Sequence, residues 1–195
     1  MSTVTIPTVD EEIWRYSRIA ELDMSAYKHG HLRTETVGAD SVRVTESLAG
    51  IVMTSNPDIF AELNGANADV ISLRIPKGVV VEGAIHIVHH LEADGVVVYP
   101  RLVIDAEENS EVTVIETFVS ADAIHSLVVP VLEVRTGKAA RVNYLAINQL
   151  GLNTWQIGHQ QSVGHRDSTT RLATVALGGD YARMRTEVRL VEQGA

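Results

Sequence analysis

Glycines at positions 137, 151, 164, 178 and 194 punctuate the last third of the chain at intervals of 14, 13, 14 and 16 residues. Turn residues at near-constant spacing between β-rich runs mark a stacked repeat, because each repeat must bury its apolar face against the next. The runs are Val96 to Ile104, Val112 to Val119, Leu127 to Val134, Val142 to Ile147, Trp155 to Val163 and Thr169 to Leu177. Weaker turn chemistry continues the series upstream, at Asp94-Gly95, at Glu107 to Ser110 and near Asp122. A rung of about 14 residues is the direct reading of that spacing. The alternative is an antiparallel sandwich or barrel, whose turns come nearer every 8–12 residues and whose hairpins favour Asn-Gly or Asp-Gly. Only Asp94-Gly95 has that chemistry.

The last run alternates without error. Arg183, Arg185, Glu187 and Arg189 share one face, while Met184, Thr186, Val188 and Leu190 share the other. Period two predicts a strand with one dry and one wet face, since a helix in this order would scatter its charges around the axis. As the last strand of a solenoid, its inward residues are expected to lie uncovered and to favour self-association.

Two helices are predicted ahead of the strands. Thr8 and Glu11 form a capping box before an acidic first turn, with Ile13, Tyr16 and Ala20 at helical spacing, so a helix is expected from Val9 to Glu21. The second has Asn56 as cap, Pro57 in the first turn, Ile59, Phe60 and Leu63 as its apolar side and Gly65 as its stop. Residues 31–52 read as extended or irregular. The expected organisation is an N-terminal region with two short helices over residues 1–67, on which Trp14 anchors to the first rungs, and a β-helix core over residues 68–195.

The chain has no cysteine, which removes disulfides, thiolate nucleophiles and the usual ligands of iron–sulfur clusters. A net charge of −9 argues against a phosphate backbone as partner. That charge is uneven: residues 1–130 carry 8 basic and 20 acidic side chains, net −12, and residues 131–195 carry 8 and 5, net +3. Stacked along an axis, the two parts would form a dipole able to orient a protein partner. No stretch has the pattern of a signal peptide or the length of a membrane span, so a cytoplasmic protein is expected.

Histidines and carboxylates are the remaining candidates for chemistry. His86, His89 and His90 cluster in one predicted strand, yet His86 and His90 face one way about 13 Å apart and His89 faces the other, so they cannot share an ion. The segment approaches the first metal motif of cupins but lacks its two histidines separated by one residue. His29 and His31 have that parity in a polar, loop-like segment, where ordinary exposed histidines are expected. Glu107, Glu108 and Glu111 bunch at a predicted turn and read as a solvated edge. Gly137-Lys138 lacks the upstream glycine and downstream hydroxyl of a nucleotide loop. No catalytic, cofactor-binding or metal-binding residue is assigned.

Four stretches together resemble the SufB/SufD family of the SUF iron–sulfur cluster assembly machinery, in its SufD branch. They are EEIWRYSRI from Glu11, LNGANADVISLRIPKGVVVEGAIHI from Leu63, PRLVIDAEENSEVTVIETFVS from Pro100 and HRDSTTRLATVALGGDYARMRTEVRLVEQGA from His165. The resemblance implies a right-handed parallel β-helix after an N-terminal helical region, mainly all-β. It also implies a non-catalytic scaffold acting with SufB-like and SufC-like partners, so that the complex handles the iron–sulfur cluster and this chain alone binds no cofactor. The missing cysteines favour SufD over SufB. Family members continue beyond the segment matching Ala195, which makes a fragment or a shortened relative the expectation. The family's SufC-docking surface and assembly histidine fall in that continuation and map to no residue here. The alternative function is a cupin-like or β-helical enzyme acting on a small molecule or sugar. It would place inward histidines and carboxylates around a pocket, whereas a scaffold rung would be filled by Val, Ile, Leu and Thr.

Overall fold

The structure, a computed structural model, describes residues 5–40, 42–45 and 57–194. Its strands, in chain order, are β1 (Lys28–His29), β2 (Arg33–Val37), β3 (Arg43–Thr45), β4 (Asp69–Ile75), β5 (Val80–Leu91), β6 (Val96–Val98), β7 (Pro100–Ala106), β8 (Glu111–Ser120), β9 (Leu127–Val128), β10 (Val131–Thr136), β11 (Arg141–Gln149), β12 (Trp155–Gly164), β13 (Thr169–Ala176) and β14 (Tyr181–Leu190). Among the described residues there is one α-helix, α1 (Ile59–Asn67), between β3 and β4.

Among β4 to β14 every pairing is parallel and each strand lies beside the one a full turn of chain away, while β2 and β3 add to β5 and β4 antiparallel. Asp69 sits beside Pro100, Val131 beside Arg101, Arg141 beside Thr169 and Trp155 beside Tyr181. The result is a parallel β-solenoid of about 4 turns with two facing sheets. The five-stranded sheet runs β13-β11-β8-β5-β2, and the nine-stranded sheet holds β4, β7, β10, β12 and β14 with the short strands. A rung therefore crosses both sheets and spans roughly 30 residues, twice the expected length. The 14-residue spacing of turns measures half a rung, one crossing from sheet to sheet.

Stacking fixes the turns. Those between the nine- and five-stranded sheets hold Gly78, Asn109, Ala139 and Asp167 in the left-handed region, with φ of 74°, 57°, 53° and 60°. The N–H of each donates to the carbonyl of the next rung's turn, at 2.9–3.0 Å. On the opposite corner, a Cβ at Gly151 or Gly178 would meet a backbone carbonyl oxygen of an adjacent turn at 2.1 or 2.2 Å. Close approach of backbone thus accounts for the glycines at 137, 151 and 178, and a left-handed φ of 77° for Gly194.

Two predicted strands are broken. Val96 to Ile104 divides at Tyr99 before Pro100, and Leu127 to Val134 divides at Val129-Pro130, because proline cannot donate to the ladder. The third rung position carries Gly158 instead, and β12 runs through without a break.

Inside the tube, Leu73, Leu102, Ile104, Leu132 and Val134 from the nine-stranded sheet meet Ile85, Ile87, Val112, Val114 and Val142 from the other. A second core lies outside the tube. Trp14, Ile19, Leu22 and Phe60 cover the outer face of the nine-stranded sheet over Val97, Leu127, Trp155 and Ile157. Trp14 is fully buried, 5.5 Å from the Phe60 ring and under the Arg183 guanidinium at 4.0 Å. Arg183 also donates to the Ile13 carbonyl at 2.8 Å, and Arg18 donates to Asp180 at 2.9 Å. The expected anchor is real, and it extends beyond the first rungs to the last strand.

Several expectations about local structure are corrected. Residues 9–21 form two separate single turns of 3-10 helix, Glu12–Trp14 and Ile19–Glu21, instead of one helix. Only half of the capping box is made, the Thr8 N–H donating to Glu11 at 3.1 Å. Tyr16 is 96% exposed and Ile13 47%, because Trp14 and Ile19 face the sheet instead. In α1 the cap is Asp58, which accepts from the Ala61 N–H at 3.0 Å, and Gly65 lies inside the helix. The expected cap, Asn56, lies outside the described residues.

The inward row of β14 lies uncovered, as expected of a last strand. Thr186 donates to Gln160 at 3.1 Å on the inward side, but Val188 and Leu190 on that side are 58% and 65% exposed. β13 and β14 are the edges of the stack, so nothing described packs over this row. The arginine face, expected to be wet, is partly covered through Arg183 over Trp14.

Candidate functional site

The apolar parity of the five-stranded sheet is interrupted at three adjacent strands. His89 on β5 shares the inward side of Ile85, Ile87 and Leu91, Glu116 on β8 that of Val112, Val114 and Phe118, and Tyr144 on β11 that of Val142 and Ala146. All three are at most 4% exposed. His89 Nε2 lies 2.9 Å from Glu116 Oε1, and the Tyr144 hydroxyl donates to Glu116 Oε2. Burial, together with the Glu116 charge and hydrogen bond, raises Tyr144 well above the ordinary phenol value, which keeps its proton in place to donate.

The row ends at a hydroxyl. Thr34 on β2 pairs directly opposite His89, and its Oγ1 is 2.8 Å from His89 Nδ1. A carboxylate accepts only, so in the neutral imidazole Glu116 takes the Nε2 proton and the Nδ1 lone pair is left to accept from Thr34. The His89 ring also stacks on Phe118 at 4.8 Å. Every freedom of the imidazole is fixed.

Thr34 and His89 open onto a cleft of about 500 Å³ between the two sheets at the first-rung end, with Thr36, Thr45, Ile71 and Pro100 on its walls. At its rim His31 Nδ1 is 3.0 Å from both oxygens of Asp69. His29 lies beside His31, with ring centroids 5.0 Å apart.

The other candidates stay apart. His86 is exposed and His90 half-buried, on the opposite side of β5 from His89, as the spacing required. Glu107 accepts from Arg74 at 2.7 Å and from the Lys77 N–H at 3.0 Å, and Glu108 from Lys77 at 3.0 Å. Arg74 and the Lys77 N–H hold the Glu107 carboxyl below its ordinary value. Glu111 pairs with Arg141 at 3.5 Å. These carboxylates form an ion-paired edge. Among the described residues no group of three or more histidines and carboxylates is placed to hold a metal ion.

Glu116 and Tyr144 were not singled out from the sequence, although a signal exists. Each is a polar residue on the apolar parity of an otherwise regular strand.

A second buried polar set lies outside the tube. Arg101 on β7 pairs with Glu133 on β10, and Asn64 of α1 accepts from Arg101 at 3.1 Å while donating to the carbonyls of Pro100 and Val129. Both charges are at most 6% exposed, so the pair holds α1 onto the sheet. His159 nearby is 3% exposed, and burial pushes its imidazole below the ordinary value.

No described helix is long and apolar enough to cross a membrane. No curated protein and no solved structure matched the chain. A family model did, described as "SUF system FeS cluster assembly, SufBD core domain", over residues 87–195, which is more than half of the chain and covers the stacked rungs from the middle of β5 onward. The chain belongs to the SufBD family of the SUF iron–sulfur cluster assembly system.

Proposed function

We propose that this chain is a SufD-like scaffold component that works in a complex with SufB-like and SufC-like proteins and is itself no enzyme of cluster chemistry. The carrying observation is the family match laid on a tube whose interior is filled mainly by Val, Ile and Leu. The absence of cysteine supports the SufD branch, since thiolates for a cluster must then come from another chain. Charge supports partner docking: from β4 onward the rungs stack in sequence order, so the basic excess of residues 131–195 gathers toward the β13–β14 end of the stack. The exposed inward row of β14 supports self-association of the isolated chain, and a cytoplasmic location goes with this role.

Co-expression with SufB-like and SufC-like proteins of the same organism, followed by affinity capture and native mass spectrometry, tests the reading. A complex containing all three is expected, and a chain that always purifies without them contradicts it. Light scattering of the isolated chain should show a dimer or larger species, which Val188→Lys reduces.

A second reading, an enzyme acting on a small molecule, is favoured by one observation. Thr34 and His89 line a cleft with Glu116 bonded behind the imidazole, which a purely structural rung does not require.

A further inference from the structure

We propose that Thr34 is an acylation site: its hydroxyl, activated by the buried His89–Glu116 pair, accepts the acyl group of an activated ester or thioester entering the first-rung cleft. Three independent features support this. Hydroxyl, imidazole and carboxylate are connected in series at 2.8 Å and 2.9 Å, the arrangement that removes a proton as a nucleophile attacks. The imidazole is fixed on four sides, by Thr34, Glu116, Phe118 and the strand pairing, so the correct tautomer and orientation exist before any ligand arrives. Finally, the cleft of about 500 Å³ is of the size that admits a small ligand, and Thr34 is exposed on its wall.

The step balances without a further reactant. Thr34 Oγ1 forms a bond to the acyl carbon, and the bond from that carbon to the leaving thiolate or phenolate breaks. The Thr34 proton passes to His89 Nδ1 and then to the departing group. Glu116 and Tyr144 are positioning residues: Glu116 keeps the proton on Nε2 and Tyr144 holds Glu116.

The chain supplies its own control. Thr36 lies two residues further along the same side of β2, lines the same cleft and pairs opposite Ile87 instead of a histidine. Cleavage after Arg33 and Arg43 places Thr34 and Thr36 in one tryptic peptide. The full chain is incubated with p-nitrophenyl acetate at neutral pH and the acetyl group located by peptide mass spectrometry. General-base assistance is worth about 10²–10⁴-fold, so acetylation at Thr34 should exceed that at Thr36 by at least about tenfold. Thr34→Val should abolish the preference, and His89→Gln should lower Thr34 to the level of Thr36. Glu116→Gln should do the same while the ¹⁵N spectrum of His89 reports transfer of the proton from Nε2 to Nδ1, a change a merely structural role would not produce. Thr34 is exposed, so Thr34→Val reads the site even where a core variant fails to fold. Equal acetylation of Thr34 and Thr36 in the folded wild-type chain overturns the proposal.

Discussion

The two sheets of the tube have different outsides. Along β8 and β11 every second residue is buried and its neighbours are partly exposed, the signature of a sheet with one face on the core. Along β7 and β12 every residue is buried. Both sheets share one interior, so the difference comes from outside, where the N-terminal turns and α1 lie over the nine-stranded sheet. One sheet is thus a wall and the other an inner layer. Polar groups have also been placed differently. In the five-stranded sheet the buried row His89–Glu116–Tyr144 points inward and reaches the cleft at His89, whereas in the nine-stranded sheet Arg101 and Glu133 point outward and tie down α1.

This contrast can be broken most severely at Trp14. Truncating a fully enclosed tryptophan to alanine costs about 3–5 kcal/mol, so Trp14→Ala should shift a urea melt by that amount. Thr117→Ala, on the partly exposed outside of β8, should stay within about 0.5 kcal/mol. A Trp14 loss as small as that of Thr117 would mean that the outer layer is only tethered. Arg101→Met should come next, at about 3 kcal/mol, because it removes the guanidinium from beside the buried Glu133 carboxylate. Adding Glu133→Leu should restore most of that loss, and an unchanged double variant would show that packing of the arginine stem, not charge, is the main term.

Smaller effects sharpen the picture. Ala139 holds φ of 53° in a stacked turn where its neighbours are Asn109 and Asp167, residues that tolerate this region better. Ala139→Gly should therefore raise stability by about 1 kcal/mol, read as a higher denaturant midpoint with an unchanged slope.

The pH response of the outer layer should be slighter. His159 faces Asp58, Glu187, Arg185 and Arg101, and burial lowers its pKa below the ordinary 6.5 despite the two carboxylates. The unfolded chain then binds a proton more readily than the folded one, so the His159 contribution is intact above about pH 6.5 and declines as pH falls toward the lower folded value. His159→Leu should flatten that decline in melts between pH 5 and 7. An unchanged slope would place the responsible group elsewhere.

The contrast between the sheets also explains what the sequence made legible. The five-stranded sheet was readable residue by residue, since a strand with one solvated face must alternate: the runs Val112 to Val119 and Val142 to Ile147 each fall inside one strand. The nine-stranded sheet was harder. Covered on both faces, it has no alternation to mark its breaks, and the prolines at 100 and 130 divide runs that read as continuous. The N-terminal helix failed for a related reason: Ile13, Tyr16 and Ala20 fit a helical stripe, but the sheet beneath takes Trp14 and Ile19, and tertiary packing overrode local pattern. Half of the rung was mistaken for the whole because turns at the two corners carry similar chemistry. In the candidate site, the side of His89 was legible from parity, but its partners come from strands 27 and 55 residues away in sequence, and no local pattern joins them.

The most direct test of the scaffold account is anaerobic reconstitution of the purified chain with iron and sulfide, alone and with its SufB-like partner, followed by visible absorbance and iron analysis. The account predicts no stable cluster on the chain alone and a cluster only when the partner supplies thiolates. A stable, stoichiometric cluster on this cysteine-free chain by itself would contradict it.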